Sequence, residues 1–260
     1  MSFQESPVRT YKLTIAYDGT NYAGWQRQAN AVTVQQIVEE AFAPLVDGVA
    51  PTVAGASRTD AGVHALGQVA SVNAEIDLTP IAVQRALNVR LPMDIRVLDA
   101  VEATPGFHAR FHATGKSYRY RIVTTSVLSP FDRLYVWHAP EPKKLTLMQQ
   151  AATHLVGKHD FASFQARGAF VRETVRTIHR LAVVESDGEM VIECDGDGFL
   201  RHMVRAIAGT LAEVGTGLRS PDSLRDVLAA RDRRAAGATA PACGLTLLSV
   251  QYARELLNSE

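Results

Sequence analysis

Cysteine is scarce: of 260 residues only Cys194 and Cys243 carry a thiol, far apart and outside any CxxC spacing. That scarcity argues against a disulfide framework and a zinc finger, and it fits a reducing compartment. No apolar run reaches bilayer-spanning length, and residues 1–9 have no signal-peptide core, so the expectation is a cytoplasmic protein with no membrane partner. No nucleotide-binding or metal-ligand spacing stands out. Charge of one sign is missing as well. Twenty-seven basic and twenty-seven acidic residues leave a formal net charge of zero, so nothing global announces a nucleic-acid partner.

What is present is a chain that can bury a large core. Hydrophobic residues make up 47%, enough for one large domain or two ordinary ones. Charge becomes informative locally. Arg110, Lys116, Arg119, Arg121 and Arg133 are opposed only by Asp132 across that stretch, and a neutral protein can still focus field in a basic cleft.

Periodicity predicts a strand over 11–18, with Leu13, Ile15 and Tyr17 on one face, and an amphipathic helix over 32–46. Thr33 is its expected N-cap, and Ile37, Val38, Ala41, Phe42 and Leu45 its expected buried stripe. Short strands at 52–56 and 67–74 follow. A helix over 80–91 begins with Thr79 as cap and Pro80 in its first turn, and 95–102 returns as a strand. The order is β-α-β-β-α-β, a split βαβ unit. Residues 104–115 carry Pro105, Gly106 and Gly115 and read as a crossing, after which the pattern repeats. Strands are expected at 117–124, 177–185, 189–195 and 245–252, the middle two as a hairpin about Ser186, Asp187 and Gly188. Helices are expected at 145–156, 201–214 and 223–231. Two such α+β halves, 1–106 and 107–260, suggest a pseudo-duplicated protein with a cleft between them.

The stretch 54–64, AGASRTDAGVH, packs Arg58, Asp60 and His64 closely, with glycines at 55 and 62. An Arg and an Asp two apart cannot share a helix face, but in a loop Arg58 can hold the chain while Asp60 faces a ligand. A surface turn with one solvated ion pair is the plainer alternative.

Motifs in fixed order surround it: YDGTNYAGWQRQ (17–28), SRTDAGVHA (57–65), FHAR (107–110), KSYRY (116–120), HDFASF (159–164), GFLRHMVR (198–205) and APACGL (240–245). Together they resemble the tRNA pseudouridine synthase A family over almost the whole chain, RTDxGVH being the most specific. Ser57 stands where that family usually has Gly, Thr246 where it often has an aromatic residue, and the loop 165–174 is atypical.

The resemblance implies an isomerase that converts uridine to pseudouridine at positions 38, 39 and 40 in the tRNA anticodon stem-loop. It implies two RRM-like, ferredoxin-like halves with antiparallel sheets joined across a catalytic cleft, a homodimer with one tRNA spanning both subunits, and no metal or cofactor. The reaction breaks C1′–N1 and forms C1′–C5 without redox change. It needs a carboxylate that attacks C1′ or C6, or promotes elimination. Asp60 is the candidate. Arg205, by its match to GFLRHMVR, would keep it ionised, since a guanidinium favours the charged form.

The base must leave its stack, at a cost of a few kcal/mol that aromatic stacking and polar contacts recover. Tyr118, by its match to KSYRY, is the expected stacking residue, and its hydroxyl could take the C5 proton. Spacing alone does not separate it from Tyr120 on the same face. Leu245 would wall the uracil, and Arg58 would reach a phosphate or wedge beside the flipped base. His64, His108, Arg110 and His202 are further candidates for RNA contact, against the common structural role of lone histidines. Trp25 suits a core or a base stack equally, and Arg225, Arg231, Arg233 and Arg234 read as a solvated helix face. A non-catalytic RNA-binding protein built on RRM-like sheets is the competing class. It does not explain a carboxylate in a glycine-flanked loop, because negative charge repels phosphate.

Overall fold

A computed structural model describes residues 8–46, 50–168 and 173–253. Residues 169–172 of the atypical loop 165–174 lie outside the described residues. The chain forms two compact units, one of residues 1–114 with 247–260 and one of 115–246.

The first unit runs β1 (Val8–Tyr17), α1 (Val34–Phe42), β2 (Ala54–Gly55), β3 (His64–Glu75), α2 (Pro80–Arg90) and β4 (Ile95–Glu102). It follows the expected β-α-β-β-α-β order. β1 is central between β3 and β4, antiparallel to both, with Leu13 opposite Ala70 and Ala100. Alternation fixes its inner face: Tyr11, Leu13 and Ile15 are fully buried and Tyr17 nearly so.

α1 departs from the expected stripe. Its core face is Val34, Gln35, Val38, Glu39, Ala41 and Phe42, whereas Ile37 is only half-buried. Two polar residues are buried because they are bonded. The Glu39 carboxylate accepts from Gln35 at 2.9 Å, from Arg27 at 2.8 Å and from the Val53 backbone N–H at 3.0 Å. Ala43–Leu45 tightens into a 3-10 turn. Thr33 caps α1 as expected, accepting from Gln36 N–H. Thr79 occupies the cap position of α2 without a side-chain cap bond, its carbonyl accepting from the Val83 N–H at 3.0 Å.

The second unit contains β5 (Ala113–Val123) from residue 115 on, β6 (Trp137–His138), α3 (Leu145–Thr153), β7 (Gly157–Asp160), β8 (Val175–Ser186), β9 (Glu189–Gly196), α4 (Met203–Gly215) and α5 (Ser223–Ala230). β5, β9, β8 and β7 lie side by side and antiparallel, with Tyr118 opposite Cys194 and Tyr120 opposite Ile192. The hairpin turns on Asp187 and Gly188, both at positive φ, the geometry of a two-residue I′ turn. α4 begins two residues later than periodicity predicts, because His202 takes a left-handed conformation (φ 65°) before the first helical residue. β10 (Leu245–Tyr252) closes the chain, and its residues 247–252 return to the first unit beside β3. There Tyr252 packs edge-on to Phe107 at 5.2 Å and donates to the Ala109 carbonyl at 2.6 Å. Each unit is thus α+β. Among the described residues no helix is long and apolar enough to cross a membrane.

Candidate active site

In the first unit the loop before β3 presents its side chains alternately. Arg58 is exposed, Thr59 is buried, and Asp60 is half-buried. Thr59 is anchored by the Tyr17 hydroxyl at 2.8 Å, and its carbonyl accepts from Trp25 N–H at 3.1 Å. A turn closed by Val63 N–H on the Asp60 carbonyl (3.2 Å) follows, with Gly62 at φ 77° in the position where left-handed backbone is needed. The segment Gly19–Gln28 wraps this turn from outside. Gly24 lies so close that a Cβ there would sit 2.5 Å from the Thr59 carbonyl oxygen. Trp25, which sequence left open between core and base stack, is core, 1% exposed beneath Gly55. Tyr22 is buried, donating to Asp94 at 2.6 Å, and burial with that bond pushes its phenol well above the ordinary range. The YDGTNYAGWQRQ segment therefore acts as the clamp of the Asp60 loop.

His64 is 5% exposed, its Nδ1 3.0 Å from Gly19 N and 3.2 Å from an Asp18 oxygen, inside this network rather than on its surface. His108, Arg110 and Arg58 are at the surface. His108 stacks on the exposed Phe111 at 4.3 Å, and the Arg110 guanidinium lies 5.9 Å over the same ring. Partial burial first, and then the charge of Arg58, lower Arg110 from its usual range, so the two arginines share one side of the unit. Phe111 was not among the expected contacts; its exposure, invisible to periodicity, is what draws notice.

In the second unit Tyr118 and Tyr120 share a face of β5, as spacing requires, yet differ in surroundings. Tyr120 is fully buried, donates to the Pro241 carbonyl at 2.8 Å and packs edge-on to Trp137. It belongs to the core. Tyr118 is 6% exposed and meets Phe199 edge-to-face at 5.1 Å. Arg205 projects from α4 with its Nε donating to the Ala240 carbonyl at 2.8 Å, and its charge is felt by Tyr120 and Cys243. The closing APACGL segment holds these parts together. A Cβ on Gly244 would meet the Tyr120 ring, and Leu245 is 6% exposed at the start of β10. Arg205, the tyrosines of β5 and Leu245 thus belong to one unit; Asp60, Arg58, His64, His108 and Arg110 belong to the other. Among the described residues no group of three or more His, Cys, Asp or Glu side chains could hold a metal ion.

Comparison with known proteins covers most of the chain. A family model described as tRNA pseudouridine synthase matches residues 13–112 and 151–253. The tRNA pseudouridine synthase A of Pelobacter propionicus is 47% identical over 246 residues, spanning 94% of this chain and 100% of that protein. The enzyme of the same name from Geotalea uraniireducens is 45% identical over 245 residues, again 94% of this chain and 100% of its own. A chain in the crystal structure of a Cbf5-Nop10-Gar1 complex aligns at a TM-score of 0.36 and 10% identity, over 95% of this chain and 50% of that one, a likeness too slight to bear on fold or function.

Proposed function

The chain belongs to the tRNA pseudouridine synthase family and is by that membership an isomerase acting on tRNA, and from this premise we propose that it converts uridines 38, 39 and 40 of the anticodon stem-loop with Asp60 as the catalytic carboxylate. The observation that carries the reading is the match over nearly the full length of both chains. The Asp60 loop suits the role. Its flanking residues are bonded on both sides, so the carboxylate needs little reorganisation on meeting substrate.

In this reading the uridine is flipped out and stacks on Tyr118, with Leu245 as apolar wall. Asp60 attacks C1′ or C6, or promotes elimination. In each case C1′–N1 breaks, the uracil turns, C1′–C5 forms, and the C5 proton is lost as N1 regains one. Arg205 is the cation assigned to pair with the Asp60 carboxylate. Arg58, Arg110 and His108 contact the RNA backbone, and His64 supports the loop that carries Arg58. The active form is a homodimer in the cytoplasm.

Pseudouridine mapping of unmodified tRNA transcripts after incubation with the pure protein tests the substrate assignment. Asp60→Asn tests the chemistry: it keeps the shape of the side chain and removes the anion. Turnover should fall by at least about 10³-fold while tRNA affinity stays near that of the wild type. Near-normal turnover would sink the assignment, and a wild-type protein that binds tRNA without isomerising it would favour the non-catalytic reading.

A further inference from the structure

The second unit holds a cavity of about 510 Å³ that the isomerase reading leaves unused. Arg167, Arg201, Arg233, Arg234 and His202 line it, over a floor of the small residues 236–238. Its charge is not balanced from within. Arg234 grips Asp232 with Nη2 at 2.6 Å and Nε at 2.9 Å, and that grip, with help from Arg167, holds the Asp232 carboxyl down to about 2. Asp232 is therefore taken. Among the described residues no acid forms an ion pair with Arg167, Arg201 or Arg233. Arg233 is also fixed in place, donating to Thr239 Oγ1 at 2.8 Å and to the Ala236 carbonyl at 3.3 Å. Burial and then the charge of Arg167 pull it below the usual guanidinium range, with Glu213 opposing.

Like charges held around a hollow raise the energy of the empty unit, and an anion inside relieves it. Guanidinium forks suit phosphate oxygens better than ammonium groups do. The chain also sets the cavity beside the residues assigned to chemistry. Phe199, two residues before Arg201, packs on Tyr118, and 236–239 lead directly to Ala240, the acceptor of Arg205.

We propose that this arginine-lined cavity binds a backbone phosphodiester of the RNA strand that carries the target uridine. The proposal rests on the tRNA reading above and adds to it a site for the strand next to the base. Phosphate is the recognised group, and the competing source is free inorganic phosphate.

The test uses the full chain and unmodified tRNA transcripts. Arg167→Gln with Arg201→Gln changes two exposed residues, so folding is not at risk; Arg233→Gln is a second, more buried variant. The double variant should raise Kd and KM roughly tenfold while kcat changes far less, and it should flatten the slope of log Kd against log salt by about 0.7 to 0.9, one phosphate's worth. The matching double Lys variant should recover the slope and part of the affinity, a rescue that a purely structural role would not give. Methylphosphonate placed singly along the strand near the target should weaken wild-type binding at one position and have little effect there on the double Gln variant. An unchanged slope and KM in both Gln variants would overturn the proposal. So would inorganic phosphate that saturates the cavity of the wild type, and not of the variant, while the tRNA slope stays the same. A wild type that shows the slope but makes no pseudouridine would overturn the functional reading and uphold the cavity; normal turnover with an unchanged slope would do the reverse.

Discussion

The Asp60 loop and the arginine cavity solve opposite problems. The Asp60 loop is bonded within its own unit: Thr59 by its hydroxyl and carbonyl, Gly62 N–H on the Tyr22 carbonyl, and His64 against Gly19 N–H. Among the described residues that line the cavity none is an acid, and Arg167, Arg201 and Arg233 stand together. The first region spends its bonds on holding one geometry. The second is left electrostatically incomplete, and a ligand completes it. A reacting group benefits from being fixed beforehand, whereas a strand-binding surface benefits from unspent charge.

The sharpest way to break this contrast is at Arg205, the one cation of the second unit assigned to the carboxylate. Arg205→Met should lower the single-turnover rate roughly 10²-fold with tRNA affinity nearly unchanged, because the cation assigned to the reacting carboxylate is gone. Arg205→Lys should lie between Met and wild type. A loss of tRNA affinity that accounts for the whole drop would make Arg205 an RNA-positioning residue. Next in size is the clamp. Gly24 stands at φ 91° against the Thr59 carbonyl, so Gly24→Ala should cost roughly 3 kcal/mol in denaturant unfolding and displace the Asp60 loop. Activity lost at full folding, measured well below the melting temperature, would separate displacement from unfolding. An alanine variant as stable as wild type would show the clamp to be looser than its geometry.

Much of this was readable beforehand, for identifiable reasons. The alternation of β1 and the hairpin about Asp187 and Gly188 are local signals, and both appear where expected. The buried polar face of α1 was not readable. Gln35 and Glu39 are tolerable inside only because Arg27 and Val53, distant in sequence, supply donors. The choice between Tyr118 and Tyr120 was closed to spacing for the same reason, since it depends on Pro241 reaching the Tyr120 hydroxyl. Arg233 and Arg234 read as a solvated helix face, yet they follow α5 rather than belong to it, and they turn toward Arg167 and Arg201. A cavity assembled from three loops has no period to betray it.

The smallest predicted effect asks whether arginines elsewhere in the same unit differ from those of the cavity. Arg119 and Arg180 both reach Glu193 on the neighbouring strand, at 3.0 Å each. Their hydrogen bonds are the chief reason its carboxyl lies below the usual glutamate range. The folded protein therefore binds fewer protons at this site than the unfolded chain does just below the ordinary glutamate value. Its stabilisation is complete above that value and is lost as pH falls through the folded one. Glu193 stands near the surface, where solvent screens the pair, so Glu193→Gln should cost only about 0.5 to 1 kcal/mol at neutral pH. That cost should vanish in acid, where the wild-type residue is protonated too; urea unfolding at neutral and acid pH measures both. The tRNA salt slope of Glu193→Gln should stay at the wild-type value, because the sheet arginines are not on the strand's path. A slope that steepens when Glu193 is removed would place Arg119 and Arg180 on that path, and the cavity would no longer be the distinctive basic feature of its unit.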